Sequence, residues 1–274
     1  MNWFDYGIMH LMNSLAQRCW LIDATLVQIA DNQLMVGGIL MVMFWWAWME
    51  CRKEIEEKRE TLVVLLFGTA FSVFVTRAIA FSLPFRERPT GNPLLHFRLP
   101  FTANPSSLIH WSSFPSDHAT VEFCLAAGLW LVDRRLGRWA AGYAALISIF
   151  RIYVGDHYPT DILAGAAIGI AVAFLSGMAS LRKAARIALN YLEPHPAALY
   201  ALLFLITFEI GEMFDSLRRF SVLVTKAVLR YPAWQLGAVG GLMLAGGLLA
   251  SVVLLKWGQR QSVAEAERKA LTRS

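Results

Sequence analysis

The chain has 274 residues, 57% of them hydrophobic and 16% charged, with a formal net charge of +5. A mean hydropathy of +0.48 and repeated windows of about 20 residues with almost no charge exclude an ordinary soluble domain and indicate a polytopic helical membrane protein. The positive charge lies between the apolar runs and is not interleaved with base-stacking aromatics, which excludes a nucleic-acid surface.

Residues 1–32 carry Asp5, Asn13, Arg18, Asp23 and Asp31 among apolar neighbours. They lack the basic start of a signal peptide and suit an amphipathic helix lying at the membrane surface. Seven spans are expected after it, near 33–49, 61–83, 118–132, 139–154, 161–181, 197–214 and 235–256. Glu209 and Glu212 make the sixth the least apolar, and a re-entrant sixth span is the alternative.

Lys and Arg fix the orientation. Arg52, Lys53, Lys58 and Arg59 follow span 1, Arg134, Arg135 and Arg138 follow span 3, and Arg182, Lys183 and Arg186 follow span 5. Together with the basic tail they belong on the cytoplasmic side. Residues 1–32 and the loops 84–117 and 155–160 are then outside. Arg218, Arg219, Lys226 and Arg230 fall outside too, against the rule, and 216–230 reads as a basic amphipathic helix on the outer leaflet.

Cys19, Cys51 and Cys124 make no disulfide framework. Asn104 is followed by Pro, so no glycosylation acceptor is present, as suits a bacterial cytoplasmic (inner) membrane. The expected organisation is an outer-face amphipathic segment (1–32), a helical core (33–186), and additional spans with a charged cytoplasmic tail (187–274).

Chemistry-bearing residues gather at the outer ends of spans. Loop 84–117 is rich in proline and carries Arg88-Pro89 near its start; its length and stiffness suit a structured cap. Pro115-Ser116-Asp117-His118 opens span 3, where free backbone N–H groups and the positive helix end suit an anion. Arg151 lies in span 4, one to two turns before His157. Gly155 suits a helix C-terminus, Pro159 the first turn of span 5, and Asp161 lies four residues after His157. A carboxylate there can hold one imidazole N–H and leave the other nitrogen bare for attack on phosphorus. No His, Cys or carboxylate set has zinc spacing.

These residues resemble the signature of the type 2 phosphatidic acid phosphatase superfamily: K-x6-R-P, P-S-G-H and S-R-x5-H-x3-D. The resemblance spans roughly residues 20–182. It implies His157 as the nucleophile that becomes a phosphohistidine, Asp161 as its orienter, and His118 as the proton donor to the leaving oxygen. Arg88, Arg151 and Ser116 would bind phosphate. Two positions depart from the pattern. Phe81 stands where the family has Lys, and Arg77, one helical turn earlier on the same face, is the expected substitute, with Arg86 as the alternative. Asp117 replaces the family Gly; its backbone N–H still faces the phosphate, and its carboxylate must turn away or cap the helix.

The expected protein is therefore all-α, a bundle of about six to seven transmembrane helices with an outer-face active site. It would act on a membrane lipid phosphate without metal or cofactor. Polyprenyl diphosphate is the leading substrate, followed by phosphatidate and phosphatidylglycerophosphate. A lipid phosphotransferase and a catalytically inactive lipid-binding or transport protein are the alternatives.

Overall fold

The computed structural model describes residues 2–50, 55–104 and 111–216; the expectations for span 7 and the tail lie outside them, as does that for 216–230 beyond its first residue. All but Ser216 belong to the first of the two units into which the chain divides, Met1–Asp215. Among the described residues, regular structure is entirely helical.

The N-terminal segment forms two helices, α1 (Trp3–Asn13) and α2 (Trp20–Asp31), where a single one was expected. The turn between them places Gln17 at φ 63°. Asp23 holds it by accepting from Gln17 N and Phe101 N, both at 2.9 Å, and from the Tyr153 hydroxyl at 2.5 Å. Asn13 exchanges two bonds with the Arg98 backbone, at 2.7 and 2.9 Å. The polar residues that interrupt the apolar pattern are the ones that seat the segment on the rest of the molecule.

A π-turn (Leu34–Gly38) leads into α3 (Ile39–Glu50). Then come α4 (Ile55–Ser82), α5 (Asp117–Val132), α6 (Arg134–Val154), α7 (Pro159–Leu175), α8 (Ala179–Leu192) and α9 (Pro196–Gly211). Among the described residues α4 alone is long and apolar enough to cross a bilayer by itself. Up to three spans result if each of two bent pairs counts as one: α2 with Leu34–Glu50, bent by 65°, and α7 with α8, bent by 68°. The expected fifth span thus stops at Leu175. The chain turns at Ser176–Met178, and α8 buries Ala185 and Leu189 while Arg182 and Arg186 pair with Glu57 (3.0 Å) and Glu60 (2.5 Å) of α4.

Helix ends follow local chemistry. Ser116 caps α5, its hydroxyl accepting from Ala119 N at 3.4 Å. Asp133 closes α5 and caps α6, accepting from Arg135 N and Leu136 N at 2.7 and 2.8 Å. Gly155 ends α6 at φ 88°, the left-handed conformation glycine adopts without penalty. Pro159 opens α7, and Asp161 accepts from Tyr158 N at 2.8 Å as half of a capping box.

Close packing then gathers these ends. Gly165 and Gly169 of α7 lie against the α5 backbone; a Cβ there would fall 2.3 Å from Ser116 O and 2.2 Å from Thr120 O. This is the small-residue approach expected of helices in lipid. α4 meets α5 through Thr76, whose hydroxyl lies 3.0 Å from that of Thr120. Opposite that face, Phe67, Phe71, Phe74 and Phe81 form an exposed stripe suited to acyl chains. The end of α4, the start of α5, the end of α6 and the start of α7 come together at one end of the bundle.

Candidate active site

His157 lies in the turn between α6 and α7 and is only 3% exposed. Its Nδ1 is 2.9 Å from the carbonyl oxygen of Ser113. A carbonyl only accepts, so Nδ1 carries the proton and the neutral ring is bare at Nε2. Asp161 Oδ2 lies 3.7 Å from the same Nδ1, an electrostatic contact too long for a hydrogen bond. The acceptor at bonding distance is thus a backbone carbonyl from the segment before α5, with the expected carboxylate standing behind it.

Nε2 faces Arg88, whose Nη1 is 3.4 Å away and donates to Asp156 O at 2.6 Å. Arg151 Nη1 donates to Asp156 Oδ2 at 3.3 Å, and its Nη2 to Ala30 O at the end of α2 at 2.9 Å. One turn residue thus anchors both guanidinium groups beside the imidazole. The Nε–H of each arginine is buried without a hydrogen-bond acceptor among the described residues, which leaves each with unused donor capacity.

Burial is the main reason the His157 pKa lies below its ordinary value. Arg88 pushes it the same way, while Asp161 and Asp156 oppose. Burial likewise lowers Arg88, against the pull of Asp156. A histidine so placed stays neutral, hence nucleophilic, to lower pH than a free one.

Ser116 is fully buried, and its N–H donates to Asp161 O at 3.1 Å, which ties the start of α5 to that of α7. His118 follows in the first turn of α5, half-buried. Arg77 and Asp117, the two departures from the motif pattern, form an ion pair with each other, and the Arg77 guanidinium sits 5.0 Å from the Trp111 ring. Arg88, Ser116, His157 and Asp161 are therefore joined by direct bonds and contacts, and Arg151 joins them through Asp156, with Arg77, Asp117 and His118 at the head of α5. Among the described residues no group of three His, Cys, Asp or Glu side chains converges as for a metal ion.

Several groups were not foreseen from sequence: the Ser113 carbonyl, Asp156, the Ala30 carbonyl, Asp5 and the contacts of Arg86. Backbone acceptors 44 and 121 residues away leave no sequence signal. Arg86 gave one hint, its even spacing from Arg88 in a proline-flanked extended stretch, which puts both on one side.

A family model described as the PAP2 superfamily matches residues 61–183. Undecaprenyl-diphosphatase BcrC of Bacillus subtilis (strain 168) is 24% identical over 171 residues, 62% of this chain and 81% of that one. The bacitracin transport permease protein BcrC of Bacillus licheniformis is 31% identical over 165 residues, 58% of this chain and 72% of that one. Among solved structures, LpxE of Aquifex aeolicus matches with a TM-score of 0.44 at 23% identity, over 62% of this chain and 92% of that one.

Proposed function

The chain belongs to the PAP2 superfamily, and from that premise we propose that it is an integral-membrane lipid phosphatase working through a phosphohistidine on His157. The setting of that ring carries the reading: Nδ1 held by Ser113 O, Nε2 beside Arg88, and Arg151 paired with Asp156 of the same turn.

The reaction has two steps. The Nε2 lone pair attacks the terminal phosphorus, an N–P bond forms, and the P–O bond to the leaving lipid group breaks as His118 gives that oxygen its proton. Water then attacks the phosphohistidine while His118 takes its proton, the N–P bond breaks, and phosphate leaves. Arg88 and Arg151 neutralise the phosphoryl oxygens, the task a metal ion performs in other phosphoryl-transfer enzymes, and Ser116 donates a hydrogen bond to one of them. Asp161 supports the imidazolium-like charge on the phosphorylated ring. Arg77, the substitute proposed for the missing lysine, offsets the charge of Asp117, so the carboxylate at the head of α5 does not repel substrate.

The relatives named undecaprenyl-diphosphatase support polyprenyl diphosphate as the substrate, giving the monophosphate and inorganic phosphate. Phosphatidate and phosphatidylglycerophosphate come next. The Lys and Arg distribution supports an inner-membrane protein with this end of the bundle facing outward. The test is phosphate release by purified protein in detergent with EDTA, polyprenyl diphosphate and phosphatidate being offered in parallel. Release should persist in EDTA, favour the diphosphate, and vanish in His157→Ala; equal release by His157→Ala would overturn the proposal.

A further inference from the structure

Asp5 lies in α1, far outside the residues 61–183 that the family model matches. It is nevertheless fully buried beside the nucleophile's carboxylate. Its Oδ1 accepts from Thr160 N at 3.0 Å, and its Oδ2 from the Thr160 hydroxyl at 2.7 Å and from Arg86 Nη2 at 2.6 Å. Thr160 is the second residue of α7, so Asp5 satisfies one of that helix's unpaired N–H groups from another helix altogether.

Arg86 spends its other arm on the site. Nη1 donates to Asp161 Oδ1 at 2.5 Å and to the Thr160 hydroxyl at 2.9 Å, and its guanidinium lies 4.2 Å from the Tyr158 ring. Asp161 is thereby held on three sides, by Arg86 at Oδ1, by Tyr158 N at Oδ2, and by His157 Nδ1 at 3.7 Å.

We propose that Asp5 and Arg86 are positioning residues of the active site: Asp5 reaches from α1 to fix Arg86 and the first turn of α7, and the two together set how far the Asp161 carboxylate stands from His157. The N-terminal helix is then part of the catalytic apparatus rather than a membrane rest. This rests on the phosphohistidine reading of the same site.

The arrangement has an electrostatic signature. The charged groups acting on His157 are Arg88 from the loop after α4, Asp156 in its own turn and Asp161 in α7, with Arg151 of α6 paired to Asp156. Asp5 and Arg86 add one negative and one positive charge immediately beyond Asp161. Removing the Asp5 charge makes the imidazolium harder to form. Removing the Arg86 charge makes it easier. The two changes must therefore move the His157 midpoint in opposite directions.

The experiment titrates histidine ring signals of the full-length protein in detergent by NMR, with His157 assigned from the spectrum of His157→Gln, alongside the pH dependence of kcat/KM. Asp5→Asn should lower the His157 midpoint by about half a pH unit, and Arg86→Gln should raise it by a similar amount. In Asp5→Asn, kcat should fall about tenfold with little change in KM, and Asp5→Glu should restore most of it. Midpoints that stay at the wild-type value in both variants, or move the same way, overturn the inference, whatever the loss of activity, as does an Asp5→Asn variant that keeps wild-type kcat. The titration needs no turnover. An inactive wild type would refute the phosphatase reading, while the midpoints would still decide the placement of Asp5 and Arg86.

Discussion

At the scale of single residues, the site turns on how an imidazole is kept neutral beside two arginines. Burial and Arg88 both disfavour its protonation, so the acid limb of kcat/KM, which reports the free enzyme, should lie below the ordinary histidine value of 6.5. An acid limb above that value would show that Asp161 and Asp156 dominate instead. Arg88 is held by a backbone carbonyl at 2.6 Å while its Nε–H stays available. Lysine keeps the charge and loses that geometry, so Arg88→Lys should lower kcat/KM by about a hundredfold or more, measured with the diphosphate lipid. Retention of wild-type activity would put Arg88 outside the phosphate contact. The sequence singled out Arg88, Ser116, Arg151, His157 and Asp161 through the spacing of the motifs they resemble, and folding brings those segments to one end of the bundle. The hydrogen bond on Nδ1 was not legible in it. The spacing of His157 and Asp161 pointed to the carboxylate, and the nearer partner is a main-chain carbonyl brought in by tertiary folding.

At the scale of elements, the site depends on how closely α7 can approach α5. Gly165 and Gly169 press on the backbone of Ser116 and Thr120, and backbone cannot swing aside as a side chain can. Gly165→Ala should therefore destabilise the protein by about 1–3 kcal/mol and displace the turn that carries Ser116. Gly142 of α6 has nothing within 4 Å of its Cβ position, so Gly142→Ala should leave stability unchanged or slightly raised. Melting temperatures of the two variants in detergent should differ by several degrees, and equal values would contradict the packing described. Most helix positions were readable from apolar runs and from Gly155, Pro159 and Ser116 at their ends. The break after Leu175 was less readable, because 161–181 stays apolar through it; the charges that turn the chain, Arg182 and Arg186, act through Glu57 and Glu60 of α4, more than 120 residues earlier.

At the scale of the whole molecule, one end of the bundle carries the arginine–histidine cluster and the other the charge pairs between α4 and α8. The proposed orientation, read from the basic residues between the apolar runs, puts the second end in the cytoplasm. In a variant lacking native cysteines, a membrane-impermeant thiol reagent on intact cells should modify Thr102→Cys and spare Arg135→Cys, both exposed positions; the reverse pattern would invert the protein. Sequence made the helical class and the clustering of motifs at span ends visible. It hid the part played by residues 1–32, whose Asp5 and Asp23 resembled breaks in an amphipathic pattern until folding put them on Arg86, Thr160 and Tyr153. The central claim is that His157 becomes phosphorylated. The most direct measurement is peptide mass spectrometry of protein mixed briefly with polyprenyl diphosphate and quenched in alkali, which preserves phosphohistidine. One phosphoryl group should appear on the peptide holding His157, disappear on a chase without substrate, and be absent in His157→Ala. A phosphoryl group on another residue, or none while turnover continues, would contradict the account.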